Sequence, residues 1–356
     1  MSLDRALTLI VPGSLESRTG GYAYDRRIAA ELSRRGWTIE VRELDGSFPR
    51  PTISALADAA RALAAIPDGS TVLVDGLAFG AMPAEVEREA ARLRIVALVH
   101  MPLAAEIGID SDMAARLEAN ERRALGAASL VVVTGRWTIS ALERYDVGRH
   151  RIALVEPGTD RAPVARGSKG SPLELLCVAT LNPGKGHEIL IRALASLSPR
   201  DWHLTCAGSL DRHPPTVERV RAIVRAERVD DRVSLVGELD DVALAAAFDR
   251  ADLFVLATLR ETYGMAVADA LAHGLPVVST TTGAIADLVG PADAGAGLLA
   301  PPGDETALAT ALSRVMSDAR LRDRLAEGAR RMRDRLPTWE EAADRMAAAL
   351  ERIERR

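Results

Sequence analysis

The stretch Leu259-Arg-Glu-Thr-Tyr-Gly-Met-Ala-Val-Ala-Asp-Ala-Leu-Ala-His-Gly-Leu-Pro-Val-Val278 organises the chain. It follows an apolar run, Asp252-Leu-Phe-Val-Leu-Ala257, that reads as a buried strand. An Ala-rich segment then reads as a helix, stopped at Gly274 and turned through Pro276 into a second apolar strand. Strand, helix and strand in that order define a parallel α/β unit. Glu261 and Asp269 lie eight positions apart across the strand-to-helix junction. Asp269 has small or apolar neighbours on both sides, a costly setting for a carboxylate unless it is hydrogen-bonded. A ligand rich in hydroxyl donors would meet that need.

The same alternation extends in both directions. Strands are expected at Leu7–Val11, Thr38–Val41, Thr71–Val74, Ile95–Val99, Leu130–Val133 and Ile152–Val155, with helices near 54–65, 83–93, 111–125 and 136–145. A Gly- and Pro-bearing stretch, Glu156 to Pro172, interrupts the rhythm. Strands resume at Leu173–Val178, His203–Cys206, Val233–Val236, Leu253–Leu256, Val277–Ser279 and Gly297–Leu299. Three helical patterns follow from about 304, the last beginning near Thr338-Trp339. Near-continuous apolar strands separated by helices indicate parallel sheets covered on both faces. The expected organisation is a first domain over 1–157, a linker over 158–171, a second domain over 172–337 and a final helix over 338–356. Ligands of such sheets bind at the carboxyl ends of the strands, so the natural site is a cleft between the two domains.

Composition narrows the function. The 356 residues are 48% hydrophobic and 27% charged, with a net charge of −5, which disfavours a nucleic-acid partner. No apolar run approaches the roughly 20 residues needed to span a membrane. Met1-Ser-Leu-Asp-Arg leads straight toward a strand without a signal-peptide pattern, and a cytoplasmic setting is expected. Cys177 and Cys206 lack metal-ligand spacing and read as buried free thiols. Arg122-Arg123 and Arg355-Arg356 read as solvated faces, with peripheral membrane contact left open. Asp110-Ser-Asp112 has the form of a metal-binding D-x-D pair but precedes a helix, so an N-cap explains it and no metal site is assigned.

Lysine is rare. The chain has two, Lys169 and Lys185, against many arginines. Lys185 lies in Val178-Ala-Thr-Leu-Asn-Pro-Gly-Lys-Gly-His187, which joins a strand to its helix. Helix N-termini favour anions, so a phosphate-binding lysine is sensible there, although the P-loop glycine and Ser/Thr are missing. Thr19-Gly20-Gly21 reads as a loop between the first strand and the first helix, where glycine allows close ligand approach but a plain turn is at least as good an explanation. His100 follows Ile95–Val99 at a strand's carboxyl end, where a polar substrate contact competes with a structural role.

Taken together these residues resemble the family 4 glycosyltransferases, retaining enzymes with the GT-B fold. The family's E-x7-E signature is similar to Glu261–Asp269, with aspartate in the second position. Its Lys-Gly element is similar to Lys185-Gly186. Val236-Gly-Glu-Leu-Asp-Asp241, Ala251-Asp252, Thr282-Gly283 and Gly297-Leu-Leu-Ala-Pro-Pro-Gly303 follow in order, and Gly20-Gly21, His100 and Glu156-Pro-Gly-Thr-Asp160 match more weakly.

The resemblance implies two Rossmann-like domains facing across a deep cleft, acceptor in the first, donor in the second, and a C-terminal helix crossing back. It implies transfer of a hexose-type sugar from a nucleotide-diphosphate sugar, UDP- or GDP-linked, to a small-molecule, glycan or lipid-linked acceptor. The donor is a co-substrate, and no cofactor or metal is implied. Lys185 would bind the diphosphate, aided by backbone amides at Gly264 and Met265. Glu261 would hydrogen-bond the transferred sugar, with Thr262 and Tyr263 beside it, and Asp269 would accept from the ribose hydroxyls. His100 would contact the sugar from the acceptor side, and Gly20 and Gly21 would let the first loop approach the phosphates. Thr180 stands where the family carries a second phosphate-clamping arginine, and Arg260 or an arginine of the first domain is the candidate replacement. The two departures, Thr180 and Asp269, motivate an alternative, a GT-B pseudoenzyme that binds nucleotide sugar without transferring it. A nucleotide-sugar epimerase is disfavoured by the signature.

Overall fold

The computed structural model describes residues 5–199, 201–291 and 294–354. The chain forms two units, Met1–Gly158 with Pro337–Arg356, and Thr159–Leu336. Each contains a six-stranded sheet whose neighbouring strands all run parallel.

In the first unit the strands are Ala6–Pro12 (β1), Thr38–Leu44 (β2), Thr71–Asp75 (β3), Arg94–Val99 (β4), Leu130–Val133 (β5) and Ile152–Leu154 (β6). They lie in the order β2-β1-β3-β4-β5-β6. The central strands β3 and β5 are buried along their whole length, as parallel strands covered on both faces must be. The edge strand β2 is exposed or half-buried at every residue before Leu44, with Glu40 and Arg42 paired on it, so a charged rim blunts the open edge.

The second unit comprises Leu173–Val178 (β7), Trp202–Ala207 (β8), Val233–Gly237 (β9), Leu253–Val255 (β10), Val277–Thr280 (β11) and Gly297–Ala300 (β12). Their order, β12-β11-β10-β7-β8-β9, is that of a doubly wound dinucleotide-binding sheet. Chain direction across the sheet reverses between β7 and β10. That reversal leaves a crevice at the carboxyl ends of these two strands, and it positions the candidate site.

The stretch read as a linker is strapped to the second unit. The Arg166 guanidinium binds Asp249, and the Ala165 N–H donates to the His273 carbonyl at 2.8 Å. Asp252 accepts from the N–H groups of Ser168 at 2.9 Å and Glu174 at 2.8 Å, so the Ala251-Asp252 motif clamps the entry to β7.

The chain's last helix, Trp339–Glu354, belongs to the first unit, where it packs on the helix Gly20–Arg34. Thr338 starts it with a capping box: its hydroxyl accepts from Glu341 N–H at 3.2 Å, and Glu341 accepts from Thr338 N–H at 3.1 Å. Buried Trp339 meets Tyr24 edge to face at 5.9 Å and carries the Arg27 guanidinium at 5.2 Å from its ring centre. Arg35 donates to Asp344 at 2.6 Å and to the Glu340 carbonyl at 2.7 Å. Arg355 and Arg356, read as part of a solvated face, lie outside the described residues. No helix among the described residues is long and apolar enough to cross a membrane.

Candidate functional site

Lys185 leaves β7 and Glu261 leaves β10, so both emerge at the reversal point of the second sheet. They meet there. Lys185 Nζ donates to Glu261 Oε2 at 2.6 Å, with the two side chains 26% and 16% exposed. The loops bearing them are tied to each other: Leu259 N–H donates to the Gly184 carbonyl at 2.7 Å and Thr258 Oγ1 to the same carbonyl at 3.1 Å. Gly186 makes this closeness feasible. Its φ is +64°, and a Cβ there would lie 2.0 Å from the Ala257 carbonyl oxygen.

Glu261 is aimed by its own backbone. Its N–H donates to Thr282 Oγ1 at 3.2 Å, while its free carboxylate oxygen, Oε1, accepts from Thr262 N–H at 3.3 Å. The Thr262 carbonyl in turn accepts from Ala284 N–H at 3.1 Å, so the Thr282-Gly283 turn supports the loop. Gly264, at φ +101°, precedes the helix Met265–Ala272, which has no side-chain N-cap. The amides of that first turn point out of the helix without intrahelical acceptors, and they sit in the same loop as Glu261. A cation, a carboxylate and an uncapped helix N-terminus thus converge on one crevice. The arrangement suits an anion bearing hydroxyl groups.

Asp269 is half-buried on this helix, and its carbonyl accepts from His273 Nδ1 at 2.8 Å. Tyr263 is buried, and Met265 is half-buried at the helix start. Thr180 follows β7, half-buried, with its carbonyl accepting from Asn182 N–H at 2.9 Å.

In the first unit, chain direction reverses between β1 and β3, and a second polar cluster forms at the strand ends. His100, just beyond β4, presents Nε2 to Asp25 Oδ1 at 3.2 Å and to Asp75 Oδ2 at 3.5 Å. Asp25 is 1% and Asp75 3% exposed. Asp75 is further held by accepting Leu77 N–H at 2.9 Å. Burial would lower the His100 pKa, but hydrogen bonds to Asp25 and then Asp75 outweigh it and raise it from 6.5 to about 10. Burial pushes the Asp25 carboxyl up from 3.8 to about 6 against the opposing pull of His100. Tyr24 meets the imidazole edge to face at 5.2 Å and donates to the Val155 carbonyl at 2.9 Å.

Asp25 and Asp75 were not among the residues expected from sequence. Asp75 had a detectable signal, a carboxylate closing an otherwise apolar strand. Asp25 lies one helical turn from Gly21, which only the folded chain reveals. Gly20 and Gly21 themselves are not in a loop: they form the first turn of the helix Gly20–Arg34. A Cβ on Gly21 would stand 3.3 Å from His100 Cδ2, so the missing side chain leaves room for the imidazole. Asp110 behaves as an N-cap, accepting from Met113 N–H at 2.7 Å.

The fold and the two strand-end clusters define a pair of Rossmann-like units, with the Lys185–Glu261 pair at the strand ends of the second. Residues 172–318 match the family described as Glycosyl transferases group 1. Across 244 residues the chain is 31% identical to a D-inositol 3-phosphate glycosyltransferase of Salinispora arenicola, covering 61% of this chain and 53% of that protein. The chain spans about half the length of the curated relatives it matches in this way. Among solved structures, the sucrose-phosphate synthase of Thermosynechococcus elongatus superposes with a TM-score of 0.83 at 21% identity, covering 98% of this chain and 99% of that one. Anabaena HepE in complex with UDP and glucose gives 0.76 at 17% identity, over 97% and 99%. The match to the glycosyl transferases group 1 family thus lies within the second unit, and the chain has the GT-B fold.

Proposed function

We propose that the chain is a retaining glycosyltransferase that moves a hexose-type sugar from a nucleotide-diphosphate sugar. The observation that carries this reading is the meeting of Lys185 and Glu261 at the reversal point of the second sheet, beside the uncapped helix Met265–Ala272. The UDP bound to Anabaena HepE, a protein of the same fold, supports a uridine nucleotide as the first donor to test.

In this reading the donor diphosphate takes over Lys185 Nζ and the amides at Gly264 and Met265. Displaced from Lys185, the Glu261 carboxylate accepts hydrogen bonds from the sugar hydroxyls, and Asp269 accepts from the ribose. The acceptor hydroxyl attacks the anomeric carbon on the face that the leaving group departs. The new C–O bond forms as the bond to the phosphate oxygen breaks, and that oxygen takes the acceptor's proton. Negative charge grows on the diphosphate, where Lys185 and the helix N-terminus oppose it without a metal ion in this scheme. The protein's contribution is positioning and electrostatic stabilisation.

His100 serves as the first unit's polar contact to substrate hydroxyls. Its Nε2 is committed to Asp25 and Asp75, so a substrate would meet the ring at Nδ1. The two carboxylates hold the ring in one orientation and favour its protonated form. Turnover measured across UDP-, GDP-, ADP- and TDP-sugars tests the reading, with Lys185→Ala and Glu261→Ala as controls. One donor should be consumed, and each substitution should cut its turnover at least tenfold. Tight nucleotide binding with no transfer to any acceptor and no donor hydrolysis would favour a pseudoenzyme instead. Turnover unchanged by both substitutions would place the site elsewhere.

A further inference from the structure

Behind the Lys185 loop lies a group of side chains that the proposed reaction does not use. Cys177 on β7 and Cys206 on β8 are partners in register on adjacent parallel strands. His187, two residues after Lys185, begins the helix His187–Ala195 and turns its ring toward them. The three are 1%, 0% and 1% exposed. Their ligand atoms, two sulfurs and one ring nitrogen, all lie within 4.8 Å of one another. His187 Nε2 is 3.7 Å from Cys177 Sγ, while Nδ1 has no partner among the described residues. The ring's polar contact is therefore made through Nε2, toward the sulfurs.

These distances suit a shared ion. With metal–sulfur bonds of about 2.3 Å and metal–nitrogen bonds of about 2.0–2.1 Å, tetrahedral angles put sulfur and nitrogen roughly 3.6 Å apart. We infer that Cys177 Sγ, Cys206 Sγ and His187 Nε2 form a buried site for one thiophilic d10 cation, zinc(II) or copper(I). Thiolate and imidazole together select such ions over hard, oxygen-seeking ones. Two thiolates and a neutral imidazole would cancel the charge of zinc(II) inside an apolar core, with a water completing four ligands. Copper(I), the softer ion, needs no fourth. Loading would accompany folding, because the ligands come from three elements that assemble only in the folded chain. Sequence spacing hid the site for the same reason: twenty-nine positions separate the two cysteines, and the strand pairing brings them together. The ion would tie β7, β8 and the start of the following helix together directly beneath Lys185.

The test uses the full chain, refolded under reducing, anaerobic conditions with zinc(II) in one arm and copper(I) in the other. Bound metal is then counted after exchange against a competing chelator, and X-ray absorption reads the coordinating atoms of the wild type. About one equivalent of either ion with sulfur and nitrogen neighbours is expected. Cys177→Ser and His187→Gln should each weaken retention at least tenfold, with far-ultraviolet circular dichroism unchanged. Should these variants fail to fold, the wild-type absorption spectrum decides alone. Metal content in both arms no higher than in the variants, or a shell of oxygen and nitrogen without sulfur, would overturn the site.

Discussion

Lys185 is one of two lysines in the chain, and its ammonium lies 2.6 Å from Glu261. In the free protein each charge satisfies the other, and a bound diphosphate would replace the carboxylate. A hydrogen bond to a charged group contributes about 1.5–3 kcal/mol, so Lys185→Ala should weaken nucleoside diphosphate binding by roughly ten- to a hundredfold. Thr180→Arg should act in the opposite sense, strengthening the same binding by supplying a second cation on the loop after β7. Direct titration of both variants checks this, and a Thr180→Arg protein binding more weakly than wild type would remove Thr180 from the phosphate site. His100 offers a test by pH. Its folded pKa stands above the reference value, so the stability it contributes is fully present below about 6.5 and is lost as pH rises through about 10. Asp25 acts in the same direction at lower pH: ionising its buried carboxyl costs stability as pH climbs from 3.8 through about 6. Nuclear magnetic resonance of the ring nitrogens should find His100 charged at neutral pH, and Asp25→Asn or Asp75→Asn should move its midpoint down. A wild-type midpoint near 6.5 would contradict the pairing. The sequence exposed Lys185, Glu261 and His100 because each lies in the segment that follows a strand. It concealed Asp25, whose partner is 75 positions away along the chain, whereas Asp75 was legible as the carboxylate that closes β3.

At the scale of elements, pattern and structure agree where local chemistry decides. The Thr338-Trp339 start is a capping box, and the helix begins at Trp339. Thr338→Ala should cost about 1 kcal/mol as a lost N-cap. Trp339→Ala should cost about 3–5 kcal/mol, because the indole fills the contact between two helices and leaves a cavity when removed. Denaturant unfolding of the full chain measures both, and equal small losses would mean that the last helix contributes little to the first unit. Tertiary contacts decide elsewhere. Glycines at positions 20 and 21 read as a loop yet form a helical turn, since the absent side chains make room for His100 rather than for a break. The stretch 158–171 had linker composition, but Asp249 and Asp252 gather its backbone amides and fasten it to one unit. Gly186→Ala should be felt at this scale too: the new methyl group meets the Ala257 carbonyl, the Lys185 loop must shift, and nucleotide affinity should fall with stability.

For the whole molecule, alternation of apolar strands with helices was enough to give two parallel sheets. Strand order was not readable, because it depends on which crossover passes over which face. Order matters most for function. In the second sheet it places the ends of β7 and β10 side by side, bringing Lys185 and Glu261 together across 76 positions of sequence. Calorimetric titration of UDP, GDP, ADP and TDP into the wild type and into Lys185→Ala tests that placement most directly. One nucleotide should bind the wild type at a single site and bind the variant at least tenfold more weakly. Equal affinity in the two proteins, or no binding of any of the four to the wild type, would contradict a donor site at the Lys185–Glu261 pair.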